Sequence, residues 1–474
     1  MPVNDYAPTT AFAAESSVAS ADASSTSLLT DMYELTMLQG ALASGTATRR
    51  SVFELFGRRL PASRRFGVVA GTGRLLDAID AFTFTPSQID FLHRAGVVND
   101  ETLDFLRDYR FTGTVRGYAE GECYFAGSPL LTVEGTFAEA CILETLALSI
   151  YNYDCAVASA ASRMTIAAHG RPCVDFGARR AHEQAAVAAA RASVVGGFVG
   201  TSNLEAGLLY GIPTVGTSAH SFTLLHDTEE EAFAAQVASL GPSTTILVDT
   251  YDIATGVERA VKAARAAGSE LGAVRLDSGD LVAEAFKVRA QLDALGATST
   301  RITVTNDLDE HAIAALGAAP VDSYGVGTKL VTGSGRPTAA LVYKLVEREG
   351  ADGTMEEVAK FSSGGKSTVG GRKWAGRTLT SEGTASEELV VSSSSQDQGL
   401  SALSQAGARP LQVLLVDAGR IIEEHRGKEA LSAAAERHRA SRAELPYDAW
   451  RLSDGESALQ TRHVDLDGRG ATRR

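Results

Sequence analysis

The chain has 474 residues, 44% of them hydrophobic and 22% charged, with a formal net charge of −14. That balance describes a soluble globular protein of two or three domains and argues against a nucleic-acid binder held by phosphate contacts. It leaves a phosphorylated small substrate open, because local basic groups can cradle phosphate on an acidic protein.

Residues 1–26 are rich in Ala, Ser and Thr, and no Lys or Arg precedes Arg49. They read as a disordered tail without the basic start and apolar block of a secretory signal. No run reaches the roughly 18 apolar residues of a membrane span. The four cysteines, Cys123, Cys141, Cys155 and Cys173, show no C-x-x-C spacing. They read as small buried residues of a reducing compartment, so a cytoplasmic protein is expected.

Residues 27–151 read as a first domain of mixed α and β structure. Thr30 or Asp31 is placed to cap a helix whose apolar face is Met32, Leu35, Met37 and Leu38. Ser51 to Gly57 alternates as a strand that leads into Arg58 and Arg59. From Phe111 to Thr136, β-formers broken by glycines predict a small antiparallel sheet. A long apolar helix follows over Ala138 to Tyr151, then a second helix to about His169.

Residues 152–347 repeat a simpler pattern. Apolar runs at 172–176, 213–215, 246–249, 273–277, 302–305 and 324–326 alternate with Ala-rich helical stretches. The later intervals match βα units, and the runs lack the strict alternation of half-exposed strands. The expected fold is α/β, an irregular parallel (β/α) barrel, with an open parallel sheet as the other option. In such folds the chemistry sits where strands end.

The strand ends carry Asp175-Phe176-Gly-Ala-Arg179-Arg180, His220, Asp249-Thr-Tyr-Asp252, Arg275-Leu-Asp277-Ser-Gly-Asp280, Asn306-Asp307 and Gly325-Val-Gly327-Thr328-Lys329. His220 is expected on a loop, with the small residues of Gly216-Thr-Ser-Ala giving the imidazole room and backbone N–H groups for an anion. Asp252, Asp280 and Asp309 are better read as caps of the following helices.

Residues 348–474 form a C-terminal region that is a third unit or completes the first domain. Positions 350–371 read as a loop or hairpin. Gly364-Gly-Lys366-Ser fails as a P-loop because Lys360 stands where its first glycine belongs. Ser381 to Gln405 reads as a flexible polar insert, 409–417 as a strand, and 432–444 as a solvated helix carrying His438.

Taken together, Leu29-Thr-Asp-Met-Tyr33-Glu-Leu-Thr-Met, Gly200-Thr-Ser202-Asn, Gly216-Thr-Ser-Ala-His220-Ser-Phe and the strand-end motifs closely resemble nicotinate phosphoribosyltransferase, a type II phosphoribosyltransferase. The resemblance spans roughly residues 27–350 and implies transfer of phosphoribose from phosphoribosyl pyrophosphate to nicotinate, coupled to ATP hydrolysis in a ligase-type reaction. It implies a phosphohistidine at His220 with Asp249 as its carboxylate neighbour. It implies stacking of the pyridine ring on Phe176, closed by Tyr33 from the second subunit of a homodimer. Arg275 and Arg179 match residues that meet the substrate carboxylate and donor phosphate. Asp277 and Asp307 match partners of ribose, Mg²⁺ or pyrophosphate. Arg58 falls near a basic position that reaches phosphate across the dimer, and Gly325, Gly327 and Thr328 match a phosphate- and ribose-binding turn. The nicotinamide-specific relative carries aspartate where this chain has Ser202, and a serine favours the acid. A nicotinamide-preferring or quinolinate enzyme, a non-catalytic sensor on the same fold and an unrelated barrel lyase are the competing readings.

Overall fold

The computed structural model describes residues 25–360 and 368–468. Most of the expected tail, and the Gly364-Gly-Lys366 turn, lie outside those residues. Ser25 and Thr26 are already anchored, their hydroxyls donating to the carbonyls of Thr83 and Ala78 at 2.6 Å.

The larger sheet has seven strands and is drawn from widely separated parts of the chain. Its spatial order is Met355–Glu357, Leu341–Glu349, Arg50–Gly57, Pro129–Thr136, Thr114–Tyr118, Gln412–Asp417 and Arg420–Ile421. Arg50–Gly57 lies in the middle, antiparallel to both neighbours and buried along nearly its whole length. The alternation read at 51–57 is therefore not one of solvent against core. Its Glu54 points into a buried ion pair with Lys373 at 2.8 Å. Leu341–Glu349, expected to finish the barrel stretch, pairs here instead, so the barrel segment ends before it.

The helix Met32–Ala43 buries Glu34, Leu35, Leu38 and Ala41, while Met32 and Met37 are exposed. Asp31 stands at its N-cap without a side-chain cap bond. The two helices expected between 138 and 169 are divided elsewhere: a short turn, Phe137–Cys141, precedes one 24-residue helix, Glu144–Ala167. That helix runs from the first domain into the barrel core and crosses the expected boundary at 151.

The second sheet is all parallel, in the order Gly200–Thr201, Cys173–Asp175, Ser323–Val326, Arg301–Val304, Ala273–Leu276, Thr245–Leu247. It curls into a half-barrel whose two edge strands, Gly200–Thr201 and Thr245–Leu247, are not paired with each other. The run at 212–215, expected as a full strand, adds only a parallel bridge from Thr214 to Thr201. Pro213 has no N–H to donate, and the edge it meets is two residues long. The half-barrel core is apolar, with Ile246, Val274, Ile302, Val304 and Val326 fully buried, as strands covered on both faces require.

Polar composition misleads in the C-terminal region. The stretch 381–405 is ordered: Ala385–Ser392 pairs with Lys373–Leu379, and Gln396–Gln405 is a helix packed beside them. The strand read at 409–417 breaks at Leu411 into two, one in each of two sheets. The helix Gly427–Ala443 is not fully solvated, because His438 is buried. Its Nδ1 faces the Gly121 carbonyl at 3.1 Å and its Nε2 the Ser162 hydroxyl at 2.9 Å. No helix among the described residues is long and apolar enough to cross a membrane.

Candidate functional site

A cavity of about 410 Å³ opens at the C-terminal ends of the parallel strands. The parallel sheet explains its contents: every strand delivers its last residue and the following turn to the same rim. Of the candidates, only Tyr33, Arg58 and Asp249 are missing from its lining. Arg180, Asn306 and Thr305 line it as well.

Asp175 closes its strand as a fully buried brace. One oxygen takes the Gly177 N–H at 2.7 Å and the other the Thr201 hydroxyl at 2.7 Å. Burial raises its pKa, and those two bonds oppose the rise. Its backbone carbonyl receives the Ser202 N–H at 2.8 Å, which sets Ser202 at the cavity wall. Phe176 follows Asp175, its N–H bonded to the Val326 carbonyl at 2.8 Å. A Cβ on Gly325 would stand 2.6 Å from the Phe176 ring and from the Thr305 methyl. Gly325 thus serves the aromatic platform directly, and Gly327 leads into the short helix Thr328–Val331.

His220 is not on a loop but is the first residue of the helix His220–Leu225, with its side chain partly exposed. Nδ1 lies 3.0 Å from the Thr250 hydroxyl, and Nε2 lies 3.9 Å from Asp249 Oδ1, beyond hydrogen-bond length. Asp249 is buried beneath the rim. Its Oδ2 accepts the Asp277 N–H at 2.9 Å and the Ser278 hydroxyl at 2.7 Å. Its Oδ1 is buried without a hydrogen-bond partner among the described residues. A carboxylate oxygen left free on the histidine side is primed to take a ring N–H after a small shift.

Arg275 rises from the middle of the site. Its Nη1 donates to Thr217 Oγ1 at 3.3 Å and the Ser218 carbonyl at 3.4 Å, while Nε is buried without a partner. Burial lowers its pKa, with Asp277 and Asp249 pulling the other way. Asp277 is held by the Thr305 hydroxyl, a contact with no signal in the sequence beyond a threonine closing its strand. Asn306 adopts φ +121°, a conformation costly for any non-glycine residue. Its side-chain oxygen accepts the Asp307 N–H at 2.8 Å, and the Asp307 carboxylate is exposed to the cavity.

Asp252, Asp280 and Asp309 cap helices, their carboxylates taking the N–H groups of Thr255, Ala283 and Ala312. Tyr33 is exposed on the first helix, and burial by its surroundings followed by Glu144 pushes its phenol up to about 12. Arg58 lines a separate pocket of about 200 Å³ with Lys373 and His463. All four cysteines are free and buried.

Two family descriptions match the chain: the nicotinate phosphoribosyltransferase N-terminal domain over residues 28–152 and the nicotinate phosphoribosyltransferase family over residues 172–361. The chain is 52% identical to the nicotinate phosphoribosyltransferase pncB1 of Mycobacterium tuberculosis, over 92% of this chain and 95% of that one. It is 37% identical to the Bacillus subtilis nicotinate phosphoribosyltransferase, over 77% and 75% of the two chains. The crystal structure of human nicotinic acid phosphoribosyltransferase superposes with a TM-score of 0.76 at 25% identity, covering 92% of this chain and 97% of that one. The chain belongs to the nicotinate phosphoribosyltransferase family.

Proposed function

We propose that this chain joins nicotinate to phosphoribosyl pyrophosphate, giving pyrophosphate and nicotinate mononucleotide for NAD salvage, with ATP hydrolysed through a phosphohistidine at His220. The observation that carries the reading is the single cavity in which an aromatic platform, arginines, rim carboxylates and a half-exposed histidine meet.

The transfer needs no protein nucleophile. The pyridine nitrogen of nicotinate attacks ribose C1′ as the bond from C1′ to the pyrophosphate oxygen breaks. Positive charge builds on the ribose ring in the transition state, so positioning and charge stabilisation do the work. Phe176 offers its ring to the pyridine, and Arg275 meets the carboxylate from its partly desolvated position. Arg179 and the Gly325-Val-Gly327-Thr328 turn are placed for phosphate. Asp277, clamped by Thr305, is placed for ribose hydroxyls. No cluster of three or more His, Cys, Asp or Glu residues among the described ones forms a metal cage. Asp277 and Asp307 on the cavity wall fit a Mg²⁺ held mainly by donor phosphate oxygens, where it would neutralise charge on the leaving pyrophosphate.

For the coupling, a lone pair of the neutral imidazole attacks the terminal phosphorus of ATP, and ADP departs as the P–O bond breaks. Water later takes the phosphoryl group to phosphate. Asp249 stabilises the ring that has given up its lone pair. The added charge beside Arg275 and the Thr217-Ser218 segment supplies the means to reorganise the rim.

A homodimer completes the site in this reading. Leu29, Met32, Tyr33 and Met37 are exposed on or just before the first helix, and Leu204, Leu208, Leu224 and Leu225 are exposed on two helices that lie in the chain between the two edge strands; in this reading each set forms an apolar surface. Each surface on one subunit facing the other kind on its partner gives a closed two-fold pair. Tyr33 and Arg58, absent from the cavity of their own chain, are then supplied across the interface. The buried free thiols fit a reducing cytoplasm.

The test is pyrophosphate release with nicotinate and with nicotinamide, alongside nicotinate-stimulated ATPase activity and acid-labile phosphate on the protein. Wild type should prefer nicotinate and show all three signals. His220→Ala should lose the ATPase and the labile phosphate while keeping its fold. Coupled ATP hydrolysis surviving in that variant would remove the phosphohistidine, and a preference for nicotinamide would remove the substrate assignment.

A further inference from the structure

Ser278 follows Asp277 on the turn after the strand Ala273–Leu276. Asp277 lines the cavity and Ser278 does not. Exposed as a residue, Ser278 still commits its hydroxyl to the interior. Oγ donates at 2.7 Å to Oδ2 of Asp249, whose side chain is only 1% exposed. The same carboxylate oxygen accepts the Asp277 N–H at 2.9 Å. A loop-stabilising serine would bond its own turn, and Asp280 already caps the helix that follows. Ser278 reaches instead to a residue 29 positions away, just beyond the end of the adjacent parallel strand.

The consequence falls on the other oxygen of Asp249. The terminal torsion of an aspartate is soft, so the direction of Oδ1 is set by what holds Oδ2. Oδ1 is buried without a hydrogen-bond partner among the described residues and lies 3.9 Å from His220 Nε2. On the far side of the ring the Thr250 hydroxyl stands 3.0 Å from Nδ1. A carboxylate only accepts, whereas a hydroxyl gives or takes. The ring form that satisfies both neighbours therefore has its proton on Nε2 and its lone pair on Nδ1.

We propose that Ser278 is a positioning residue for the energy-coupling step: it aims the free oxygen of Asp249 at Nε2 of His220 and so holds the imidazole ready for ATP. The proposal rests on the reading of His220 as a phosphohistidine. In that step the Nδ1 lone pair forms the bond to the terminal phosphorus. The P–O bond to ADP breaks and its electron pair leaves on ADP, while the Nε2 proton stays between the ring and Asp249. The Thr250 hydroxyl turns off Nδ1 about its own side-chain bond to admit the phosphorus. Without the Ser278 oxygen, Asp249 is held through Oδ2 by one bond, and fewer rings stand ready at any moment.

Ser278→Ala should lower the kcat of nicotinate-stimulated ATP hydrolysis, and the rate at which acid-labile phosphate forms on the protein, about tenfold. The KM for ATP should stay within about twofold, because Ser278 lies off the cavity wall. Ser278→Thr, which restores a hydroxyl, should recover most of the loss. Since Ser278 acts through Asp249, it should lose its effect once that carboxylate is gone. In an Asp249→Ala background, Ser278→Ala should cost less than about twofold further. An unchanged ATPase kcat in Ser278→Ala overturns the proposal. So does a further tenfold loss in the Asp249→Ala background, which would place the effect of Ser278 elsewhere. Wild type that hydrolyses ATP without forming acid-labile phosphate removes the phosphohistidine reading itself, and the step that Ser278 serves goes with it.

Discussion

The rim of the half-barrel and the seam between the C-terminal sheet and the first domain are both rich in charge, yet they are built to opposite standards. At the seam, Arg377 donates to the Cys123 carbonyl at 2.6 Å, to Ser441 at 2.9 Å and to Glu444 at 3.2 Å, and pairs with Glu388 at 3.3 Å. Glu388 also takes the Tyr118 phenol at 2.8 Å and the Ser128 hydroxyl. At the rim, Asp249 Oδ1 and Arg275 Nε are buried without partners, and Asn306 holds a strained backbone. The two histidines repeat the contrast: His438 is bonded on both nitrogens in the interior, whereas His220 is half open to the cavity. Arg377 Nε is likewise buried without a partner among the described residues, but both of its terminal nitrogens and both oxygens of Glu388 are bonded within the chain. Groups meant to meet a substrate are left with capacity to spare.

The contrast is most sharply broken by Arg377→Met. Removing the guanidinium leaves Glu388 and Glu122 buried with less compensation across three elements. A loss of about 3–5 kcal/mol in unfolding free energy is expected, read from denaturant midpoints. Activity per folded molecule should stay near wild type, since no cavity residue touches Arg377. A fall in activity without a fall in stability would dissolve the division between seam and rim.

A smaller effect is expected from acid acting on His438. Burial, followed by Arg442, holds its imidazole down at about 3, below the ordinary value near 6.5. The neutral ring is therefore the one the fold favours. Its contribution is fully present above about pH 6.5 and is lost as pH falls toward the folded value. At pH 4 that loss amounts to about 3 kcal/mol. Because carboxylates also titrate there, the measurement is the difference between wild type and His438→Gln across pH 7 to 4. The variant should start less stable and lose less. Parallel curves would show that His438 carries no linked proton.

The sequence made the rim readable and the seam nearly unreadable, for a physical reason. Parallel strands put the residues after them on one edge, so Asp175-Phe176, Asp249, Asp277, Asp307 and Gly325 needed only the strand ends to be located together. The seam depends on which side chains meet across hundreds of positions. Hydropathy cannot distinguish Glu388 in a buried network from a solvated glutamate, so 381–405 read as flexible and His438 as exposed. The strand Leu341–Glu349 had no reading of its own in the sequence, and nothing local could say that its partner would be Arg50–Gly57. Asp249 and His220 were placed as neighbours by resemblance, whereas Thr250 on Nδ1 and Thr305 on Asp277 had no sequence signal stronger than position.

The smallest expected effect tests the spare capacity of the rim most finely. The Ser202 hydroxyl makes no side-chain bond among the described residues and faces a cavity lined by Arg179, Arg180 and Arg275. A carboxylate there would compete with that of nicotinate for the same arginines and repel it in a partly dry pocket. It would also accept a hydrogen bond from an amide NH₂. Ser202→Asp should therefore shift the ratio of kcat/KM for nicotinate over nicotinamide by about 10–100-fold toward the amide, with thermal stability changed little. A fixed ratio would mean that Ser202 lies outside the part of the cavity that reads the carboxylate, and discrimination would pass to Arg275 alone. The two outcomes separate a rim that selects its base by several adjustable contacts from one that selects it by a single charge.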